Sequence, residues 1–280
     1  MNIDLKMPQI KSHPCFLTPT RIKPELPLFI FLPGMDGTGQ LLRCQTAGLE
    51  QGFDIRCLAI PPDDLTDWDG LVKQVINLIE AELKKNPRQS VYLCGESFGG
   101  CLAMKVAVKA PWLFEKIILV NPASSMSRRP WMYAAIPLTQ WVPGYFYNLG
   151  SLIGLPVLAA MGRIAPSDRQ ALVQAVQIVP QKTSIWRLSL LRDFQINPNQ
   201  LRRITQPVFL IGSGADRLLP SVAEVEYLLE HFPNAKMTIL PDSGHACLLE
   251  TDVNLYEILR QNDFLPEGKG QTKMLSSATN

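Results

Sequence analysis

A serine between two glycines, an aspartate and a histidine, each at the end of an apolar run, are the residues here best suited to covalent chemistry. Val91-Tyr-Leu-Cys-Gly-Glu-Ser-Phe-Gly-Gly100 reads as an apolar strand entering Gly95-Glu96-Ser97-Phe98-Gly99 and then a helix. This is the G-x-S-x-G pattern in the strand, turn and helix context it requires. A nucleophile on so sharp a turn has strained backbone angles, and small neighbours let strand and helix approach each other. A serine hydroxyl attacks a carbonyl only when a positioned base takes its proton, so the pattern demands a histidine.

Three histidines are present. His13 lies in the N-terminal stretch, and His231 sits in the helical pattern Leu228-Leu-Glu-His-Phe232. His245 follows the apolar run Met237–Leu240 in the loop Pro241-Asp-Ser-Gly-His245, where a base would have to stand. The imidazole in turn needs an acid that fixes its tautomer and stabilises the cation formed on proton transfer. Val208-Phe-Leu-Ile211 is followed by Gly-Ser-Gly-Ala-Asp216, which makes Asp216 the expected acid and gives the chain order Ser, Asp, His. Asp242 is the reserve, too close in sequence to His245 for the usual geometry.

An acyl-transfer intermediate also needs two backbone donors for its oxyanion. One expected donor is the Phe98 amide, next to the nucleophile. The other comes from Leu28-Phe-Ile-Phe-Leu-Pro-Gly-Met-Asp-Gly-Thr-Gly39, with the Met35 amide favoured and Asp36 next. These glycines do not make a nucleotide site. Gln-Leu-Leu42 follows Gly39, so the third glycine of a dinucleotide fingerprint is missing, and no Gly-Lys-Ser/Thr follows for a phosphate loop.

The elements that must hold these residues follow from periodicity. Buried parallel strands are expected at Leu28–Leu32, Ile55–Ile60, Val91–Cys94, Ile117–Val120, Val208–Ile211 and Met237–Leu240. Helices are expected through Leu71, Val75, Leu78, Ile79 and Leu83, from Leu102 to Ala110, from Val222 to His231 and from Leu255 to Leu259. Strand and helix in alternation predict an α/β class, a doubly wound and mainly parallel sheet with its chemistry at the strands' carboxyl ends. The stretch 123–203 breaks this rhythm with helical and loop signals and no strand, and is read as an inserted helical lid. The expected organisation is a loosely ordered leader (1–27), a core (28–122 and 204–265), the lid (123–203) and a flexible tail (266–280).

Composition narrows the function. At 280 residues and 46% hydrophobic content the chain can bury one large core. A net charge of +2 without a run of Lys or Arg argues against a nucleic-acid partner. The six cysteines show no CxxC pair and no zinc spacing, so they are read as reduced thiols, with no metal and no cofactor. Asp4, Lys6, Lys11 and two prolines before Leu17 interrupt any secretory apolar stretch. The expected location is therefore a reducing, cytoplasmic interior and not secreted, with peripheral membrane contact through the lid.

These motifs resemble the α/β-hydrolase superfamily. More narrowly, Phe31-Leu-Pro-Gly-Met-Asp-Gly-Thr-Gly39, Phe53-Asp-Ile-Arg-Cys-Leu58, Glu96-Ser-Phe-Gly-Gly-Cys-Leu102 and Asn121-Pro-Ala123 resemble the hydrolase portion of plastid and cyanobacterial esterase/lipase/thioesterase proteins of the phytyl ester synthase group. That group is associated with moving fatty acyl chains onto phytol or diacylglycerol, and the resemblance implies a plastid-like interior as the alternative location. Its members commonly carry a second, acyltransferase-like region, so the resemblance implies lipid acyl chemistry more strongly than any particular acceptor.

The lid supports the same direction. Between Trp131 and Met161 there is no charged residue, and Trp131, Tyr133, Trp141, Tyr145, Phe146 and Tyr147 crowd its first half. Pro137, Pro143, Gly144, Gly150, Gly154 and Pro156 interrupt it too often for a spanning helix. Short lid helices are expected, either packed on the sheet or resting at a lipid interface. Asp36, Trp131, Trp141 and Phe146 are the candidate substrate contacts. The expected activity is hydrolysis of acyl esters or thioesters with lipid-like chains. Acyl transfer to an alcohol such as phytol or diacylglycerol is the first alternative, and non-catalytic lipid binding on the same fold is the second.

Overall fold

A computed structural model of the chain describes residues 13–128 and 154–266. Its strands are β1 (Cys15–Leu17), β2 (Leu28–Leu32), β3 (Asp54–Ala59), β4 (Val91–Glu96), β5 (Lys116–Val120), β6 (Val208–Ser213) and β7 (Ala235–Leu240). They form one seven-stranded sheet in the order β1-β3-β2-β4-β5-β6-β7. All neighbours pair in parallel except β1, which runs antiparallel to β3 with Cys15 opposite Ala59 and Leu17 opposite Cys57.

The strand side chains alternate between two cores, as the pleat requires. Leu28, Ile30 and Leu32 of β2, with Leu93, Leu119 and Leu210, face one side, where α2 (Trp68–Lys85), α3 (Phe98–Lys109) and α8 (Ser221–His231) pack. Phe29 and Phe31, with Tyr92, Ile118 and Phe209, face the other, under α1 (Thr46–Leu49) and α9 (Leu255–Gln261). Runs apolar at every position are thus what a sheet covered on both faces needs. Helix α2 shows the matching helical pattern: Leu71, Val75 and Ile79 are buried, Asp67 accepts a bond from the Gly70 amide at its start, and Lys84 and Lys85 end it.

Between β5 and β6 the described chain is helical, with α4 (Leu155–Leu158), α5 (Pro166–Ile178), α6 (Gln181–Arg192) and α7 (Pro198–Leu201). Leu155, Ala159, Ile164, Leu172 and Ala175 from this cap form a third apolar cluster with Leu41, Ala246 and Leu249 of the core loops. Trp131, Trp141 and Phe146 lie outside the described residues. Among the described residues, no helix is long and apolar enough to cross a membrane.

One expectation is corrected. The stretch 15–17, read as part of a loosely ordered leader, is a strand. Three residues are too few for a periodic signal, and the strand exists because the free edge of β3 supplies its hydrogen bonds.

Candidate active site

Ser97 stands between β4 and α3, with φ 53° and ψ −113°, a backbone region a serine rarely occupies. The surrounding chain holds it there: its amide donates to Val120 O at 3.0 Å, and its carbonyl accepts from the amides of Gly100 and Ala123 at 3.0 and 3.1 Å. The flanking glycines are required by close approach. A Cβ on Gly95 would lie 2.3 Å from Gly99 O, and one on Gly99 would lie 2.0 Å from Leu32 O. Phe98 then stacks on Trp68 at 4.7 Å, which fixes the first turn of α3.

Three residues far apart in sequence meet at this turn. His245 Nε2 lies 2.8 Å from Ser97 Oγ, and His245 Nδ1 lies 2.7 Å from Asp216 Oδ2. Asp216 Oδ1 also accepts from the amides of Leu218 and Leu219 at 2.8 and 3.0 Å, and Oδ2 accepts from the Ser221 hydroxyl. Burial alone would raise the Asp216 pKa, but the bonds from His245, Ser221 and Leu219 hold it below the usual carboxylate value. A charged Asp216 facing Nδ1–H leaves Nε2 free to accept the serine proton. Asp242, by contrast, is exposed at the end of β7, and His231 bonds instead to Tyr227 O at 2.6 Å on its own helix.

The loop after β2 closes the other side. Gly37 N donates to Gly34 O at 3.0 Å, so Met35 and Asp36 are the central residues of a β-turn. A Cβ on Gly34 would lie 3.9 Å from Ser97 Cβ, which places this turn against the nucleophile. The Phe98 amide is in the first turn of α3, where the helix offers it no carbonyl. Among the described residues, neither it nor the Met35 amide donates to a protein acceptor. The Asp36 carboxylate bonds to Thr38 N and Oγ1 at 2.8 and 2.6 Å, so it shapes the loop as well as lining the site.

The matching family model, Hydrolase_4 (serine aminopeptidase, S33), aligns with residues 63–252 and so contains all three residues. The chain belongs to the Hydrolase_4 family of α/β-hydrolases. It is similar to phytyl ester synthase 1, chloroplastic, of Arabidopsis thaliana, at 32% identity over 88% of this chain and 40% of that protein. Phytyl ester synthase 2, chloroplastic, of the same plant is 28% identical over 87% of this chain and 38% of its own length. The chain thus spans about two fifths of the length of these relatives. Among solved structures, an esterase from Exiguobacterium antarcticum superposes with a TM-score of 0.71 at 18% identity, covering 89% of this chain and 94% of that one.

In this α/β-hydrolase a cavity of about 370 Å³ opens beside Ser97 and His245. Its walls are Leu41, Met126, Leu158, Leu172, Val176, Val179, Leu188, Leu191, Leu218 and Leu219. Its polar lining includes Ser97, His245, Asp36, Glu96 and Ser184. Burial, with the Asp36 charge adding to it, pushes the Glu96 carboxyl up to about 8, so this acid is mainly neutral at pH 7 and compatible with an apolar occupant. Burial likewise raises Asp36, against its bonds to Thr38 and the charge of Arg187. Among the described residues, no cluster of His, Cys, Asp and Glu is arranged to hold a metal ion.

Sequence reading missed the residues that brace the site. Asn121, fully buried at φ 43°, donates to Ser213 Oγ and to His245 O, both at 2.8 Å, and accepts from Ser213 N at 2.8 Å. It therefore joins the loops that carry Asp216 and His245. Glu250 accepts from Gly244 N at 2.7 Å and from Arg163 Nε at 2.6 Å, which ties the histidine loop to the cap. Gln45 bonds to Leu248 O, Val253 O and Leu255 N behind that loop. Asn121 lies in a noticed motif, Asn121-Pro-Ala123, but its partners lie 92 and 124 residues away.

Proposed function

We propose that the protein is a serine hydrolase that cleaves acyl esters or thioesters with lipid-like chains through an acyl-enzyme on Ser97. The supporting observation is the continuous path from Asp216 through His245 to Ser97, which ends at the mouth of an apolar cavity. Ser97 Oγ attacks the acyl carbonyl carbon while His245 Nε2 takes its proton. The oxyanion accepts from the Phe98 and Met35 amides. Collapse breaks the bond to the alkoxide or thiolate, which leaves with the proton from His245. Water, deprotonated by His245, then attacks the acyl carbonyl carbon; the bond to Ser97 Oγ breaks, Ser97 takes the proton back from His245, and the acid leaves.

Transfer to an alcohol follows the same path with the alcohol in place of water. The names of the relatives, phytyl ester synthases, favour that second reading. The aromatic composition of the stretch from Trp131 to Tyr147 favours a peripheral lipid contact, with Trp131, Trp141 and Phe146 as substrate or interface contacts. The test is fluorophosphonate labelling of wild type and Ser97→Ala, followed by product analysis on an ester series with and without phytol or diacylglycerol. Labelling of wild type alone, with turnover of long-chain esters, is expected. An unlabelled wild type points instead to a lipid-binding protein on this fold, and cleavage confined to short soluble esters removes the lipid part.

A further inference from the structure

One buried cation is not explained by packing. Arg187, on α6 of the cap, is 2% exposed, yet its guanidinium meets backbone carbonyls. Nη1 donates to Met35 O at 2.8 Å and to Asp36 O at 3.1 Å, and Nη2 donates to Pro61 O at 3.0 Å. Asp36 and Asp64 act on it through space, and burial nonetheless pulls its pKa below the usual guanidinium value. A buried charge without a bonded counter-ion is expensive, and its three carbonyl bonds must offset that cost.

The partners indicate what it does. Met35 and Asp36 are the two central residues of the turn that faces Ser97, and Arg187 holds both of their carbonyls from one point. The turn is shaped to admit it. Gly37 has φ +69°, and a Cβ there would lie 2.8 Å from Arg187 Nη1. Helix α6 is itself anchored, since Trp68 Nε1 donates to Leu190 O at 2.8 Å and Trp186 Nε1 donates to Thr66 O at 3.2 Å.

We propose that Arg187 is a positioning residue for the oxyanion site: it holds the Met35–Asp36 and Asp36–Gly37 peptide planes, and with the Gly37 N to Gly34 O bond this fixes the adjoining Gly34–Met35 plane so that the Met35 amide points at the place where the oxyanion forms. The inference rests on the serine-hydrolase reading above. It ties the cap to the chemistry: the cap not only walls the acyl cavity but also sets one of the two donors. Because such a donor acts in the transition state, its loss appears in kcat and not in KM.

The experiment compares wild type, Arg187→Met and Arg187→Lys on 4-nitrophenyl butyrate. Inhibition by a trifluoromethyl ketone that mimics the tetrahedral intermediate, and melting curves, are measured beside it. Arg187→Met is expected to lose about 10- to 100-fold in kcat with little change in KM, with ketone affinity falling in step. Arg187→Lys, which keeps a donor, recovers part of both. An unchanged kcat in a folded Arg187→Met, or a loss in KM alone, overturns the proposal. Should Arg187→Met fail to fold, Arg187→Lys decides: a folded protein with lowered kcat and ketone affinity supports it, and one with both unchanged overturns it. Failure of both variants to fold assigns Arg187 to stability and also overturns it. Wild-type labelling at Ser97 keeps the two readings apart, since its absence removes the serine hydrolase before Arg187 is judged.

Discussion

The loops around Ser97 and the wall of the cavity lie side by side but are built differently. Around Ser97 the contacts are directional. Asn121 joins the Asp216 and His245 loops, Glu250 pins the Gly244 amide, and Gln45 binds three backbone groups beneath. The cavity wall is made of Leu, Val and Met side chains, which attract one another without prescribing an angle. Directional bonds fix the reacting atoms to a fraction of an ångström, while an apolar wall accepts changes of volume at modest cost. On the proposed function the chemistry and the choice of acyl chain are thus separable, and Arg187 is a polar link between the two regions.

Breaking the directional side should give the largest effects. Ser97→Ala is expected to lower kcat by about four to six orders of magnitude and abolish fluorophosphonate labelling, read against an unchanged melting curve. Asn121→Ala touches no reacting atom, yet leaves Ser213 N and His245 O without their buried partner. Urea unfolding should show a loss of about 2–4 kcal/mol, with kcat down by roughly 10- to 100-fold through misplacement of His245. An Asn121→Ala enzyme of normal activity would show that the loops hold themselves.

The apolar side should respond more gently and selectively. Val176→Phe narrows the cavity and is expected to reduce kcat/KM for a dodecanoyl ester by about 10-fold while leaving a butanoyl ester nearly unchanged. Equal losses on both esters would mean that the wall, too, positions the reacting atoms. The smallest effect on rate is expected from Glu96→Gln, whose signature is in stability. The folded Glu96 holds its proton up to about 8 whereas the unfolded chain releases it near 4.5, so wild type loses stability as pH rises between these values. Melting curves of Glu96→Gln should fall less steeply across this window and stay above wild type beyond it.

Much of this was legible in the sequence because Ser97, Asp216 and His245 each follow a strand with a clear apolar run. Leu28–Leu32 matches β2 residue for residue, and β4 extends past its expected end only because Gly95 and Glu96 continue the ladder without being apolar. Arg187 and Asn121 were not legible as parts of the site. Arg187 shares a helix face with Thr183, Ser184, Leu190 and Leu191, which marks it as buried but does not reveal the carbonyls of Met35 and Asp36 that receive it. Such roles come from partners brought in by the fold, and local pattern cannot supply them. The short strand β1 was missed for a related reason, since its ordering depends on a neighbour and not on its own residues.

That strand also guards the rest of the molecule. With Cys15–Leu17 in place, β3 has a partner on its outer side. A variant shortened past Leu17 would bare a row of amides and carbonyls able to pair with any other extended chain, and its defect would be self-association while the distant reaction centre stayed intact.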